Sequence, residues 1–263
     1  MAAFTAASTT APAPKAEPVR KEPVPQGLLE RIDASLVEKV VIDRNTNPGS
    51  REQYRRLAAT LHHAQAANGT KVVLITSALQ GEGKSLTSSN LAMTFSESYQ
   101  RSVLLIDADL RRPTLHMTFR VDNTGGLSQG LTSREQRRLP VRQVSNRLAI
   151  LPAGLPSGDP MAGLTSERMR QLIDEAREAF DWVIIDTPPV VLLPDANLLA
   201  SMADAAVLVV KAGSTHYDLV DRALNAIGRD RVLGIVLNRS QNAIDAAYSE
   251  YGGYYGPGEG AEG

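Results

Sequence analysis

Cysteine is absent from this chain of 263 residues. That rules out disulfides, thiolate metal centres and cysteine nucleophiles, and it suits a reducing compartment. Aromatic residues are scarce, at 5%: one Trp, four Phe and seven Tyr. No apolar run approaches the roughly 18–20 residues that a membrane-spanning helix needs. Runs such as Val72–Ile75 and Val103–Ile106 have the length of buried strands. The N-terminal MAAFTAASTT has neither the basic region nor the apolar stretch of a signal peptide. An excess of charge is missing too: 28 Lys and Arg stand against 29 Asp and Glu, a formal net charge of -1. A nearly neutral chain does not bind nucleic acid through bulk electrostatics, so no nucleic-acid partner is expected. Together these absences predict a soluble, cytoplasmic protein.

What is present is a patterned middle between two low-complexity ends. Residues 1–27 are rich in Ala and Pro and poor in large apolar residues. Such a segment cannot offset its ordering entropy and reads as a disordered arm. The folded domain is expected over 28–240. Residues 51–66 read as a helix, because Tyr54, Leu57, Ala58 and Leu61 recur at i, i+3, i+4 and i+7. Ser50 is the candidate N-cap. From residue 71 onward, β-branched runs alternate with amphipathic stretches. Strands are expected at Lys71–Thr76, Ser102–Asp107, Arg147–Leu151, Trp182–Asp186, Ala205–Lys211 and Val232–Asn238. Helices are expected at Lys84–Ser98, Ser166–Phe180, Ala196–Ala203 and Tyr217–Ile227. Continuous rather than alternating apolar strands imply cover on both faces. The expectation is therefore an α/β fold: a mostly parallel central sheet flanked by helices, with right-handed crossovers.

Between the first strand and its helix lies Ala78–Ser85, ALQGEGKS, a relaxed phosphate-loop pattern. Each residue type has a reason. Gly81 and Gly83 let backbone N–H groups approach phosphates with no side chain between. The helix N-terminus adds free donors and a positive dipole end. Lys84 brings a charge to the β and γ phosphates, and Ser85 offers a hydroxyl to Mg²⁺. Two further strands end in carboxylates: Asp107 and Asp109 in VLLIDADLRRP, and Asp186 in VIIDTPP. Ligands of open α/β sheets sit beyond the carboxyl ends of strands, so all three acids belong to the rim of the phosphate loop. Asp186 is placed like a Walker B aspartate.

Leu104–Arg111 looks like a Walker A′ box, three apolar residues followed by DxDxR. With Ala78–Ser85 and Val183–Asp186, it resembles the bacterial tyrosine kinases of capsule and exopolysaccharide synthesis, the CpsD/CapB type. Leu151–Gly154, Phe180–Pro189, Asp195-Ala196 and Gly234–Asn238 look like strings of the same family. The resemblance spans roughly residues 50–256. It implies a P-loop NTPase fold related to ParA and MinD, and ATP and Mg²⁺ as cofactors. It assigns nucleotide contacts to Gly81, Glu82, Gly83, Lys84, Ser85, Leu86, Arg111 and, for the adenine, Asn238. Ser85, Asp107 and Asp186 would hold the metal. Lys84, Asp107, Asp109 and Asp186 would carry catalysis, with the choice of base between Asp107 and Asp109 open.

The same resemblance implies autophosphorylation of a C-terminal tyrosine cluster. Tyr248, Tyr251, Tyr254 and Tyr255 lie among glycines in 241–263, a segment expected to be flexible. Arg239 to Tyr255 spans up to about 50 Å when extended, enough to reach a neighbouring subunit. A phenol with a pKa near about 10 needs a base or metal-linked activation before it attacks. Each phosphate adds roughly -1.5 to -2 charge units to a chain that starts near neutrality. Further implied partners are a separate membrane activator of the chain-length-determinant (Wzz) type, a homo-oligomer in the form of a ring, and a cognate tyrosine phosphatase. Recruitment to the inner face of the plasma membrane follows from such an activator.

Departures from the family pattern are local. Glu52 and Arg55 fit its oligomerisation motif ExxRxxR, but the second Arg position is Ala58. Gln80 stands where Pro is common in the loop. The competing assignment is a positioning ATPase of the ParA/MinD class, whose signature Lys at the second loop position is Leu79 here. A nucleotide-binding regulator without catalysis is opposed by the intact Lys84, Ser85, Asp107, Asp109 and Asp186. His62, His63, His116 and His216 have no metal-ligand spacing. Arg134, Arg137 and Arg138 read as a solvated basic face.

Overall fold

The computed structural model describes residues 27–43, 46–132, 140–156 and 159–240. The tyrosine cluster, the N-terminal arm and the basic cluster at 134–138 lie outside the described residues.

Helix α1 runs Pro48–Asn68. It starts two residues before the expected Ser50 cap. Asn47 is the cap, its side chain accepting from the Gly49 N–H at 2.7 Å, with Pro48 at the first helical position. Proline fits there because its missing N–H would be unpaired in any case. Strand β1, Val72–Ser77, leads through the Gly-rich loop into α2, Lys84–Met93. The expected helix to Ser98 is present, but its last turn, Thr94–Ser98, widens to π geometry. Then follow β2 (Val103–Asp107), the short α3 (Leu115–Thr118) and α4 (Leu127–Thr132), β3 (Arg142–Gln143) and β4 (Leu148–Leu151). The chain continues with α5 (Pro160–Leu164), α6 (Glu167–Ala179), β5 (Trp182–Asp186), α7 (Asp195–Ala200), β6 (Ala205–Lys211), α8 (Tyr217–Ile227) and β7 (Val232–Asn238). The short α3, α4, α5 and β3 were not expected, because two to six residues are too few to show a period.

The sheet order is β3-β4-β2-β5-β1-β6-β7. All neighbouring pairs are parallel except β3 and β4. Successive residues of each central strand enter opposite halves of the core. Val72, Leu74, Leu104, Ile106, Val183 and Ile185 pack towards α4 to α8, while Val73, Ile75, Val103, Leu105, Trp182 and Ile184 pack towards α1 and α2. That division is why these strands read as unbroken apolar runs. Few large rings take part. Trp182 stacks on Phe95 with centroids 4.4 Å apart, and the rest is mainly Val, Ile, Leu and Ala.

The strand order makes the site. β5 sits between β1 and β2, so three segments distant in sequence end side by side at one rim. Thr187 Oγ1 donates to the Ile75 carbonyl, and Thr76 Oγ1 to the Pro188 carbonyl, tying the ends of β1 and β5 together.

Candidate active site

The loop after β1 turns on Gly81 and Gly83, whose φ angles are +82° and +96°. Both lie in the left-handed region that favours glycine. Gly83 has a second reason: a Cβ there would lie 2.0 Å from Asn238 Nδ2. That amide donates to the Glu82 carbonyl at 2.7 Å, so the end of β7 props the loop from outside. The buried Glu82 carboxylate fastens the loop from within. It accepts from the Leu79 N–H at 2.6 Å, the Lys211 N–H at 3.3 Å and the Thr215 hydroxyl. The signal for Glu82 was its place in the loop. Nothing in the sequence pointed to Thr215, which lies 133 residues away.

Lys84 begins α2, and its Nζ contacts Asp109 Oδ2 at 2.9 Å. Both side chains are largely buried, at 12% and 6% exposure. Burial acts against the lysine charge, but Asp186, Asp109 and Asp107 outweigh it and hold its pKa above the ordinary value. Asp109 also accepts from the Arg112 N–H at 3.0 Å.

Asp107 and Asp186 are register partners at the ends of β2 and β5. Both are fully buried. Asp107 Oδ2 accepts from the N–H groups of Thr114 and Leu115, at 3.1 and 3.0 Å, at the start of α3. Its pKa is nonetheless pushed up to about 8, first by burial and then by Asp186. Asp186 is pushed up to about 6 by burial, with Lys84 pulling in the opposite direction. The Ser85 and Ser88 hydroxyls stand close enough to favour its anion, yet neither reaches hydrogen-bond geometry. Three carboxylate oxygens, Asp107 Oδ1 and both of Asp186, are therefore buried with no hydrogen-bond partner.

Buried acceptors without donors are costly and call for a cation or ordered water. No group of three or more His, Cys, Asp or Glu able to hold a metal occurs among the described residues. Mg²⁺ does not require one, since it keeps several waters and takes one or two carboxylates alongside nucleotide phosphates. The hard oxygen donors of Ser85, Asp107 and Asp186 fit that ion.

Not every expected residue meets the rim unencumbered. Arg111 makes a forked contact with the buried Asp195 of α7, Nε at 2.8 Å and an Nη at 3.4 Å. Asn238 is engaged by Glu82 through its amide and by the Arg239 N–H through its oxygen, at 2.9 Å. Glu52 and Arg55 lie on α1, 4.0 Å apart, and Arg56 shares Glu52 at 3.7 Å. Ala58 is fully buried, so the position where the family motif has its second Arg is core in this chain.

A phosphate loop, a buried lysine and strand-end carboxylates on a parallel sheet define a P-loop NTPase. The family model described as ParA, an NUBPL iron-transfer P-loop NTPase, matches residues 68–259. This chain has no cysteine thiolate to hold iron. Tyrosine-protein kinase YwqD of Bacillus subtilis is 40% identical over 209 residues, covering 78% of this chain and 86% of that protein. Two solved structures agree in fold, each at 30% identity. The chimerical protein CapA2B2 gives a TM-score of 0.69 over 76% of this chain and 88% of the other. The kinase domain of the Escherichia coli tyrosine kinase ETK gives 0.67 over 73% and 78%. The chain belongs to the bacterial tyrosine-protein kinase family. Membership implies nucleotide binding. No helix among the described residues is long and apolar enough to cross a membrane.

Proposed function

We propose that this chain transfers the γ-phosphoryl group of ATP to tyrosines of its own C-terminal cluster, Tyr248, Tyr251, Tyr254 and Tyr255. The observation that carries the reading is the buried constellation at the rim. Lys84 is held by Asp109, beside two paired carboxylates whose free oxygens await a cation. Ser85, Asp107 and Asp186 would hold Mg²⁺, which when bound would neutralise charge on the phosphates.

The protein's own groups then divide the work. The loop N–H groups between Gly81 and Leu86 and the start of α2 hold the phosphate oxygens. Lys84 leaves Asp109 for the phosphates, which carry more negative charge than one carboxylate. Asp109 is thereby freed, and it accepts the tyrosine hydroxyl proton. The phenolic oxygen bonds to the γ-phosphorus, and the bond to the β–γ bridging oxygen breaks, releasing ADP. Asp107 is the poorer candidate because neither oxygen is left for the tyrosine: Oδ2 accepts from the Thr114 and Leu115 N–H groups, and Oδ1 is the oxygen that would hold the metal. Arg111, fixed by Asp195, borders the nucleotide. Asn238 acts on the nucleotide by bracing the loop.

The wider role follows the family: control of capsule or exopolysaccharide polymerisation and export. A membrane activator of the chain-length-determinant type recruits the chain to the inner face of the plasma membrane. Glu52 and Arg55 contribute to self-association in a ring, and a tyrosine phosphatase reverses the modification.

The test is incubation of purified protein with Mg-ATP, with and without an activator's cytoplasmic segment, then phosphosite mapping by mass spectrometry. Phosphotyrosine is expected within 248–255 in the wild type, with at least about a hundredfold loss in Lys84→Met. None is expected when all four tyrosines are Phe. ATP hydrolysis without tyrosine phosphate under both conditions would assign the chain to the positioning ATPases instead.

A further inference from the structure

The phosphate loop carries a carboxylate of its own. Glu82 lies between the two left-handed glycines, Gly81 and Gly83, and is 3% exposed. A buried anion in a loop that is to receive phosphate is a double liability. Without donors it is costly to bury, and its charge opposes the ligand. The structure supplies donors from two elements. Oε2 accepts from the Leu79 N–H at 2.6 Å, within the loop itself. Oε1 accepts from the turn that follows β6: from the Lys211 N–H, a long contact at 3.3 Å, and from the Thr215 hydroxyl. Among the described residues, Thr215 is the only side chain hydrogen-bonded to this carboxylate.

Thr215 is fixed before it reaches across. The Ser214 and Thr215 N–H groups both donate to the Lys211 carbonyl at 3.2 Å, and the turn passes through Gly213 with a φ of +67°. The Ala212 N–H donates to the Asn238 carbonyl at 2.9 Å. The turn is thereby tied to β7, whose Asn238 amide holds the Glu82 carbonyl. The hydroxyl is thus presented from a closed turn. A phosphate loop binds through N–H groups that converge on the ligand. The more of that order exists beforehand, the less freedom is lost on binding.

We propose that Thr215 is a positioning residue for the nucleotide: through Glu82, its hydroxyl holds the phosphate loop in the shape that binds phosphate. Thr215 acts on the loop and not on the ligand. Removing the hydroxyl leaves Glu82 Oε1 with the long Lys211 contact alone, so the loop loses its tie to the β6 turn and gains an under-satisfied charge. The inference rests on nucleotide binding and is independent of tyrosine as the acceptor.

Calorimetric binding of Mg-ADP to the full chain tests it, because ADP occupies the loop without phosphotransfer. Thr215→Val keeps the shape of the side chain and removes the donor, and affinity is expected to fall about tenfold. Thr215→Ser keeps the hydroxyl and should stay within about twofold of the wild type. In a Glu82→Ala background, Thr215→Val should have no further effect, since the carboxylate it serves is gone. Urea unfolding of the same variants separates the two roles. A merely structural Thr215 would lower the unfolding midpoint of Thr215→Val and leave the ADP affinity of the folded protein unchanged. Unchanged affinity in Thr215→Val would overturn the proposal. So would an equal loss in Thr215→Ser, or the same loss with and without Glu82. A wild type that binds no Mg-ADP would overturn the nucleotide reading together with it.

Discussion

Two regions of the sheet break the rule of apolar inside and polar outside, in opposite ways. At the carboxyl ends of β2 and β5, charges are buried: Asp107 and Asp186 are fully enclosed, with three oxygens unpartnered. Along β7, apolar groups are exposed. The first violation costs stability in the bare protein and calls for a cation or ordered water, so it marks a candidate site. The second costs little where it stands, and it follows from the place of β7 at the end of the sheet. The same sheet builds both. Its middle strands can hide charge because they are covered on two faces, whereas its last strand has no further strand beside it among the described residues.

The largest expected effect falls on the loop that feeds the charged end. Gly83→Ala introduces two faults: a left-handed φ that alanine adopts at a cost, and a Cβ against Asn238 Nδ2. ATP affinity, measured by calorimetry, is expected to fall at least about a hundredfold, or about 3 kcal/mol. Adding Asn238→Ala removes the clash but not the φ strain, and restores only part. Full restoration would show that the loop conformation itself carries no cost.

A smaller effect tests whether the buried carboxylates are costly. The pKa of Asp107 is about 8 and that of Asp186 about 6 in the fold, against 3.8 for an ordinary Asp. Between about pH 4 and pH 8 the native state therefore holds protons that the unfolded chain has released. Stability of the nucleotide-free, metal-free protein must fall as pH rises through that window, by at most about 1.4 kcal/mol per pH unit for each proton held. Above about pH 8 the slope should vanish. Asp107→Asn is expected to flatten the profile and to be the more stable variant at pH 8, while losing phosphotransfer. Urea unfolding across pH 4–9 measures it. A wild-type profile that rises from pH 5 to pH 8 would mean that the carboxylates are already paired.

How much of each region was legible in the sequence follows from what kind of signal it leaves. The charged end was readable, because short motifs at strand ends have a fixed spatial meaning on a parallel sheet. Lys84, Asp107, Asp109 and Asp186 do meet, although up to 102 residues separate them. The props were not readable. Glu82 to Thr215, Asn238 to Glu82 and Arg111 to Asp195 are single long-range hydrogen bonds with no periodicity behind them. The edge misled in a different way. Val232–Asn238 has the same unbroken apolar pattern as the central strands, so composition gave no hint that it ends the sheet. Position in the strand order is a tertiary fact. Ala58 has the same character: its departure from the oligomerisation motif is explained only by its burial beside Leu61.

The smallest effect completes the comparison. Leu208 on β6 and Leu237 on β7 are the same residue type on adjacent strands, 0% and 63% exposed. Leu208→Ala removes fully packed methyls and is expected to cost about 2–5 kcal/mol in urea unfolding. Leu237→Ala removes mostly hydrated ones, and its cost should stay within about 0.5 kcal/mol. A Leu237→Ala cost near that of Leu208→Ala would place the edge inside the cooperative core. The two ends of the sheet would then differ in chemistry but not in stability.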